Sequence, residues 1–212
     1  MSFPILLLIG LTVAASAYAW SNRDLMEAWV MQPYVIARSG QWYRLLTSGF
    51  LHADWSHLLF NMFAFYSFSP VVLATLAQGY GSGVGLALFL LLYLGGIIIS
   101  DLPTYFRHRD DRNYRSLGAS GGVASVLFAS ILLFPVNSHG GGIIIFPLPF
   151  PIQPFLFGFL YLAYSWFMGR RQGDNINHDA HFYGALFGVL LISALVPGVL
   201  PQFMQQIINY VS

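Results

Sequence analysis

WSHLLFNMFAFYSFSPVVLATLAQGYGSGVGLALFLLLYLGGIIIS, residues 55–100, contains no Asp, Glu, Lys or Arg. A helix needs about 20 predominantly apolar residues to cross the roughly 30 Å hydrocarbon core of a bilayer. This run is long enough for two crossings, and QGYGSG at 78–83 supplies a glycine hinge between them. In lipid, a backbone satisfies its polar groups only as helix or as a closed barrel. Continuous Leu, Ile, Phe and Ala lack the alternation that barrel strands require, so the run reads as a helical pair.

The same pattern extends in both directions. Residues 1–22, 116–169 and 180–212 are also free of charged side chains. The first fits one crossing. The second fits two, separated by NSHGGG (137–142) and IFPLPFPIQP (145–154), where proline opposes helix. The third fits one crossing and a short tail after Pro197 and Pro201. The expected fold is an all-α membrane protein: a six-transmembrane-helix bundle, one domain over 1–212, with spans near 3–20, 57–79, 83–105, 117–136, 152–169 and 178–198. AYA at 17–19 resembles a signal cleavage site, but MSF offers no basic segment before it, so a retained helix is expected.

All charge falls in three islands: Arg23–Asp54, Asp101–Arg115 and Arg170–Asp179. With six crossings they share one membrane face, and both termini share the other. The chain is 57% hydrophobic and 8% charged, with mean hydropathy +0.65, against about 25% charged in ordinary soluble domains. A net charge of +1 gives no reason to expect a nucleic-acid partner. The absence of cysteine excludes disulfides, thiolate catalysis and Cys-type zinc sites. No internal repeat suggests a transporter built from two halves.

Polar side chains at membrane depth are costly, and three clusters carry them. In HADWSHLLFN (52–61), His57 and Asn61 are four apart and share a helix face, with His52 just before them. Such a pair is also common glue between helices. In GASGG (118–122), Ser120 lies near a helix N-terminus, where unpaired N–H groups and the dipole favour developing negative charge. Gly118 and Gly121 flank it, and small residues of this kind equally mark close helix packing. In NHDAHFYGALFG (177–188), His181, Gly184 and Gly188 form one stripe that admits another backbone, and the glycine-rich helix beginning at Gly118 is the expected partner. Each cluster begins within a few residues of a charged island, so all three lie near one face. A serine, an imidazole and amide donors at one depth are the components of acyl transfer.

WYR (42–44), HADWSHLLFN (52–61), GASG (118–121) and AHFYGALFG (180–188), in that order, resemble the rhomboid family of intramembrane serine proteases over residues 3–200. The resemblance implies Ser120 as nucleophile and His181 as general base. It assigns His57, Asn61 and the Ser120 backbone N–H to the oxyanion. Trp42 and Arg44 would belong to a structural loop in the outer leaflet, although Tyr43 separates two residues that are often adjacent in the family. His52, Gly118, Gly121, Gly184 and Gly188 would support the site. No acid follows His181, so a dyad is expected, with Asp179 capping the last long helix. The implied substrates are transmembrane proteins held in membrane lipid, cut without cofactor or metal. The implied location is a bacterial inner membrane, multi-pass, with the site facing outward and the termini cytoplasmic. The positive-inside rule points the other way, because all nine basic residues are arginines on the site's face.

Three rival readings fit parts of the sequence. GASGG also spells G-x-S-x-G, but that elbow needs a preceding strand, and RHRDDRNYRSL precedes it here. His52, His57, His178 and His181 invite a metal, but no H-E-x-x-H is present. A catalytically inactive rhomboid-like protein that binds membrane clients is the remaining alternative, and it would ordinarily lack the serine or the histidine.

Overall fold

Arg23, the first charge in the chain, lies two residues past the end of a first helix, α1 (Phe3–Ser21). In the computed structural model, which describes residues 3–137, 141–144, 150–171 and 176–212, α1 buries Ile5, Leu8, Thr12, Ser16 and Ala19. Their spacing of three and four makes a single stripe. Its other faces expose Phe3, Leu7 and Leu11, as lipid contact requires.

The first charged island then folds into short helices, α2 (Arg23–Trp29), α3 (Pro33–Ser39) and α4 (Arg44–Thr47), followed by one 3₁₀ turn at Ser48–Phe50. Asn22 caps α2 by accepting from the Leu25 N–H at 2.9 Å. Arg44 is 6% exposed and ties this region together. It donates to the carbonyls of Glu27 (2.7 Å) and Val30 (2.9 Å) and to Gln41 Oε1 (2.7 Å). Trp42 leans on Tyr105 with ring centroids 5.0 Å apart, and Tyr43 is left half exposed.

Two long helices follow, α5 (Trp55–Tyr80) and α6 (Ser82–His108), turning at Gly81 inside the expected hinge. Beyond the second island come α7 (Ser120–Leu133), α8 (Pro154–Arg171), α9 (His178–Leu195) and α10 (Val199–Val211). Six crossings were expected; among the described residues, α1, α5, α6 and α9 have both the length and the hydropathy of a span. The protein is therefore a nearly all-helical integral membrane protein, with four such helices among the described residues. α7 has 14 residues, and in α8 three tyrosine and tryptophan rings and two terminal arginines dilute the apolar run. Parts of the expected 137–154 connection, 138–140 and 145–149, lie outside the described residues, as do 172–175 of the third island.

α7 is the centre of the bundle. Every residue from Gly121 to Leu132 is buried, as expected of a helix that is apolar on all sides. Its largest interface is with α9. A Cβ at Gly184 would overlap the Gly121 carbonyl, and one at Gly188 would overlap the Ser125 carbonyl. Both helices advance four residues between these contacts, so they run parallel in close register. On the other side, a Cβ at Gly121 would overlap the Ser100 hydroxyl of α6, and one at Gly122 would come within 2.6 Å of the Tyr93 carbonyl. Three backbones thus meet at small residues.

Candidate active site

Ser120 opens α7, and the approach to it is tightly fixed. Ser116 pairs with Met31 through two backbone hydrogen bonds of 3.0 Å. Gly118 donates its N–H to the Ser48 carbonyl at 3.0 Å and has φ +128°, a conformation that excludes most side chains. A Cβ there would also lie 2.8 Å from His57 Cε1. The glycine therefore does two things: it allows the turn and it lets the His57 ring reach the backbone just before Ser120. The first helical N–H to find a carbonyl in α7 is that of Val123, bonded to Ala119 at 2.9 Å. Those of Ser120, Gly121 and Gly122 precede the ladder, as the first turn of any helix dictates.

His52 is fully buried, and its contacts assign its protons. Nε2 accepts from the Ala119 N–H at 3.4 Å, which leaves the proton on Nδ1. Nδ1–H then donates to Ser16 Oγ at 3.0 Å, and the Ser16 hydroxyl donates to the Phe50 carbonyl at 2.9 Å. Trp20 holds the His52 carbonyl at 2.8 Å. Burial, reinforced by the neighbouring His57, pushes the His52 imidazole down to about 3, so it is neutral. His52 braces the residue before Ser120 and touches the His57 ring edge-on at 4.9 Å.

His57 and Asn61 stand on α5, whose N-terminus is capped by Asp54 through the His57 N–H at 2.8 Å. The Ser56 hydroxyl, the His57 N–H, the His57 ring and the Ser56 N–H hold the Asp54 carboxyl below its usual range. Asn61 Nδ2 donates to the His57 carbonyl at 3.0 Å, one turn back in its own helix. That bond uses one of its two N–H groups.

His181 lies in the first turn of α9 and donates its backbone N–H to the Asn177 carbonyl at 3.3 Å. Its ring stacks on Tyr161 of α8 at 5.9 Å and meets His178 edge-on at 5.8 Å. Because Gly184 abuts Gly121, His181 and Ser120 occupy the adjoining N-terminal turns of two parallel helices. The four histidines form two ring pairs, and among the described residues no group of three or more His, Cys, Asp or Glu is disposed to hold a metal.

One expectation is corrected. Asn177, not Asp179, caps α9, accepting from the Ala180 N–H at 3.1 Å. The helix starts at His178, which leaves Asp179 inside the first turn, where it pairs with Arg107. Tyr161 was not foreseen either: one tyrosine among the many aromatics of α8 carries no mark of its position. Asn177 did carry one, since it immediately precedes the expected start of a helix.

Residues 39–198 match the Rhomboid domain family. The rhomboid-family protein YdcA of Bacillus subtilis is 32% identical over 72% of this chain and 67% of its own length. The mitochondrial presenilin-associated rhomboid-like protein A of Danio rerio is 32% identical over 70% of this chain and 36% of its own. Rhomboid protease GluP of Bacillus subtilis is 32% identical over 51% of this chain and 19% of its own. The chain thus spans about two thirds of the first relative and far less of the others. With the domain match covering most of a helical bundle built around a buried, glycine-packed α7, this chain belongs to the rhomboid family.

Proposed function

We propose that the protein is an intramembrane serine endopeptidase that hydrolyses peptide bonds in or near transmembrane segments of membrane proteins. The contact of Gly184 and Gly188 with the α7 backbone carries this reading, because it sets the turns bearing Ser120 and His181 side by side. In this mechanism His181 removes the proton from Ser120 Oγ as the oxygen attacks the scissile carbonyl. The same imidazole then protonates the leaving amine, and water repeats the sequence on the acyl-enzyme. The negative charge on the tetrahedral oxygen develops at the start of α7. The Ser120 N–H, the His57 ring against Gly118 and the second Asn61 N–H are the donors within that region. Losing one such donor typically costs about 10²–10³ in rate.

α1, α5, α6, α7, α8 and α9 form the six crossings, with α7 the shortest. At 14 residues it measures roughly 21 Å against a core of about 30 Å, which supports a serine sunk below the lipid surface. The site faces outward from a bacterial inner membrane and the termini lie in the cytoplasm, as the family resemblance implies. Because helical carbonyls are already hydrogen-bonded, a substrate must unwind at the cut, which favours small and helix-weakening residues there.

Purified protein, incubated with a fluorophosphonate and with a single-pass reporter substrate, tests the proposal. Wild type is expected to label at Ser120 and cleave, whereas Ser120→Ala and His181→Ala remain folded and do neither. Substrate that co-purifies uncut with the wild type, and no labelling, would support the inactive client-binding alternative.

A further inference from the structure

The side chain that caps α9 reaches farther than capping requires. A cap needs one oxygen to accept from the first turn, which serine or aspartate supplies equally well. Asn177 Oδ1 accepts from the Ala180 N–H and also from the Thr104 hydroxyl, each at 3.1 Å. Its Nδ2 donates to Asp101 Oδ1 at 3.3 Å and to Ser116 Oγ at 3.2 Å. The amide joins an acceptor for Ala180 to a separate two-proton donor that reaches both the Asp101 carboxylate and Ser116. Asp101 and Thr104 are buried on α6, at 8% and 1% exposure, so the carboxylate depends on a donor from inside the protein.

The partners of this amide are informative. Ser116 stands four residues before Ser120 and is itself locked to Met31. Asn177 stands four residues before His181 and accepts its backbone N–H. One side chain therefore connects the strap that delivers the proposed nucleophile with the turn that delivers the proposed base, and Asp101 anchors both to α6. We propose that Asn177 and Asp101 are positioning residues that set the placement of His181 relative to Ser120. This rests on the Ser120–His181 reading given above.

Exchanging the two groups tests it. Asn177→Asp still accepts from Ala180 and Thr104 but presents a second carboxylate to Asp101 with no donor between them. Adding Asp101→Asn restores the pair with its roles reversed, the amide at 101 donating to the carboxylate at 177. At mildly alkaline pH, where a shared proton is least available, the single variant is expected to lose about tenfold or more in kcat on the reporter. KM should change less than about twofold, and labelling of Ser120 by the fluorophosphonate should slow in parallel. The double variant is expected to recover to within about threefold of wild type. A single variant with wild-type kcat overturns the proposal, as does a folded double variant as slow as the single one. Ser116→Ala, which removes only a hydroxyl, gives a readout if Asn177→Asp does not fold. It is expected to lower kcat by about threefold, and an unchanged kcat overturns the proposal. Wild type and Ser120→Ala run alongside separate the two levels: equal behaviour of that pair removes the serine reading and this inference together. A silent Asn177→Asp beside an inactive Ser120→Ala removes only the inference.

Discussion

Helices α7 and α8 are neighbours in sequence and opposites in packing. α7 buries every residue from Gly121 to Leu132, whereas α8 buries only Gly158 and Ser165. α8 turns Phe159, Leu160, Tyr164 and Phe167 outward, where they suit lipid. Yet both reach the candidate site, α7 through Ser120 and α8 through Tyr161, whose ring stacks on His181 and packs on Phe128 at 5.5 Å. The group proposed to form bonds stands where three backbones determine its position. The group that only offers a ring face comes from a helix held by few contacts. Geometry that must hold to fractions of an ångström belongs on the over-determined element.

The same substitution at two glycines breaks or sharpens this contrast most directly. Gly184→Ala places a methyl group on the Gly121 carbonyl, and backbone atoms cannot move aside as a rotamer can. It is expected to cost about 3 kcal/mol and most of the fluorophosphonate labelling, measured by thermal unfolding in detergent and by labelling rate. Tolerance of Gly184→Ala would mean that the α7–α9 contact does not fix the site.

An intermediate effect is expected from acid, acting through the brace behind α7. The His52 imidazole has its folded-state value lowered from 6.5 to about 3, so the unfolded chain binds a proton first as pH falls. The contribution of His52 is therefore complete above about pH 6.5 and lost progressively down to about 3. Unfolding midpoints measured across that window should fall in the wild type, with a shallower slope in His52→Gln. An identical slope would show that other groups set the acid sensitivity.

The smallest effect is expected from Gly158→Ala on α8. A Cβ there would lie 3.4 Å from Ile131, an ordinary van der Waals contact. Relief of glycine's backbone entropy favours the variant, so stability should change by less than about 1 kcal/mol and activity should be retained. If this variant were as damaging as Gly184→Ala, the two helices would not differ as described.

The order and approximate extent of the long helices were legible because long uncharged runs have few other solutions in lipid. Finer features were not. Asp179 and Asn177 are both good caps by type, and the choice between them depends on which residue begins the helix. Asp179 instead meets Arg107, a partner 72 positions away that no local pattern names. Pro197 and Pro201 marked only a short tail, and its helical form came from Gly198, which at φ +77° redirects the chain into α10. Pro201 then occupies the first turn, where a missing N–H costs little. The small helices of the first island were hidden because its charges mark water or headgroups without specifying a fold. Arg44 shows what decides there: three acceptors brought from Glu27, Val30 and Gln41.

Alone, the sequence determined a helical membrane protein whose charge is gathered into three islands between long uncharged runs. The bilayer imposes that much, since it forbids exposed backbone and penalises charge wherever a run crosses it. Tertiary structure alone decided which glycine meets which carbonyl, which amide ties α9 to the strap before Ser120, and which tyrosine covers His181. A glycine stripe reports that a close approach is possible, but the partner and its register emerge only when separate helices pack together.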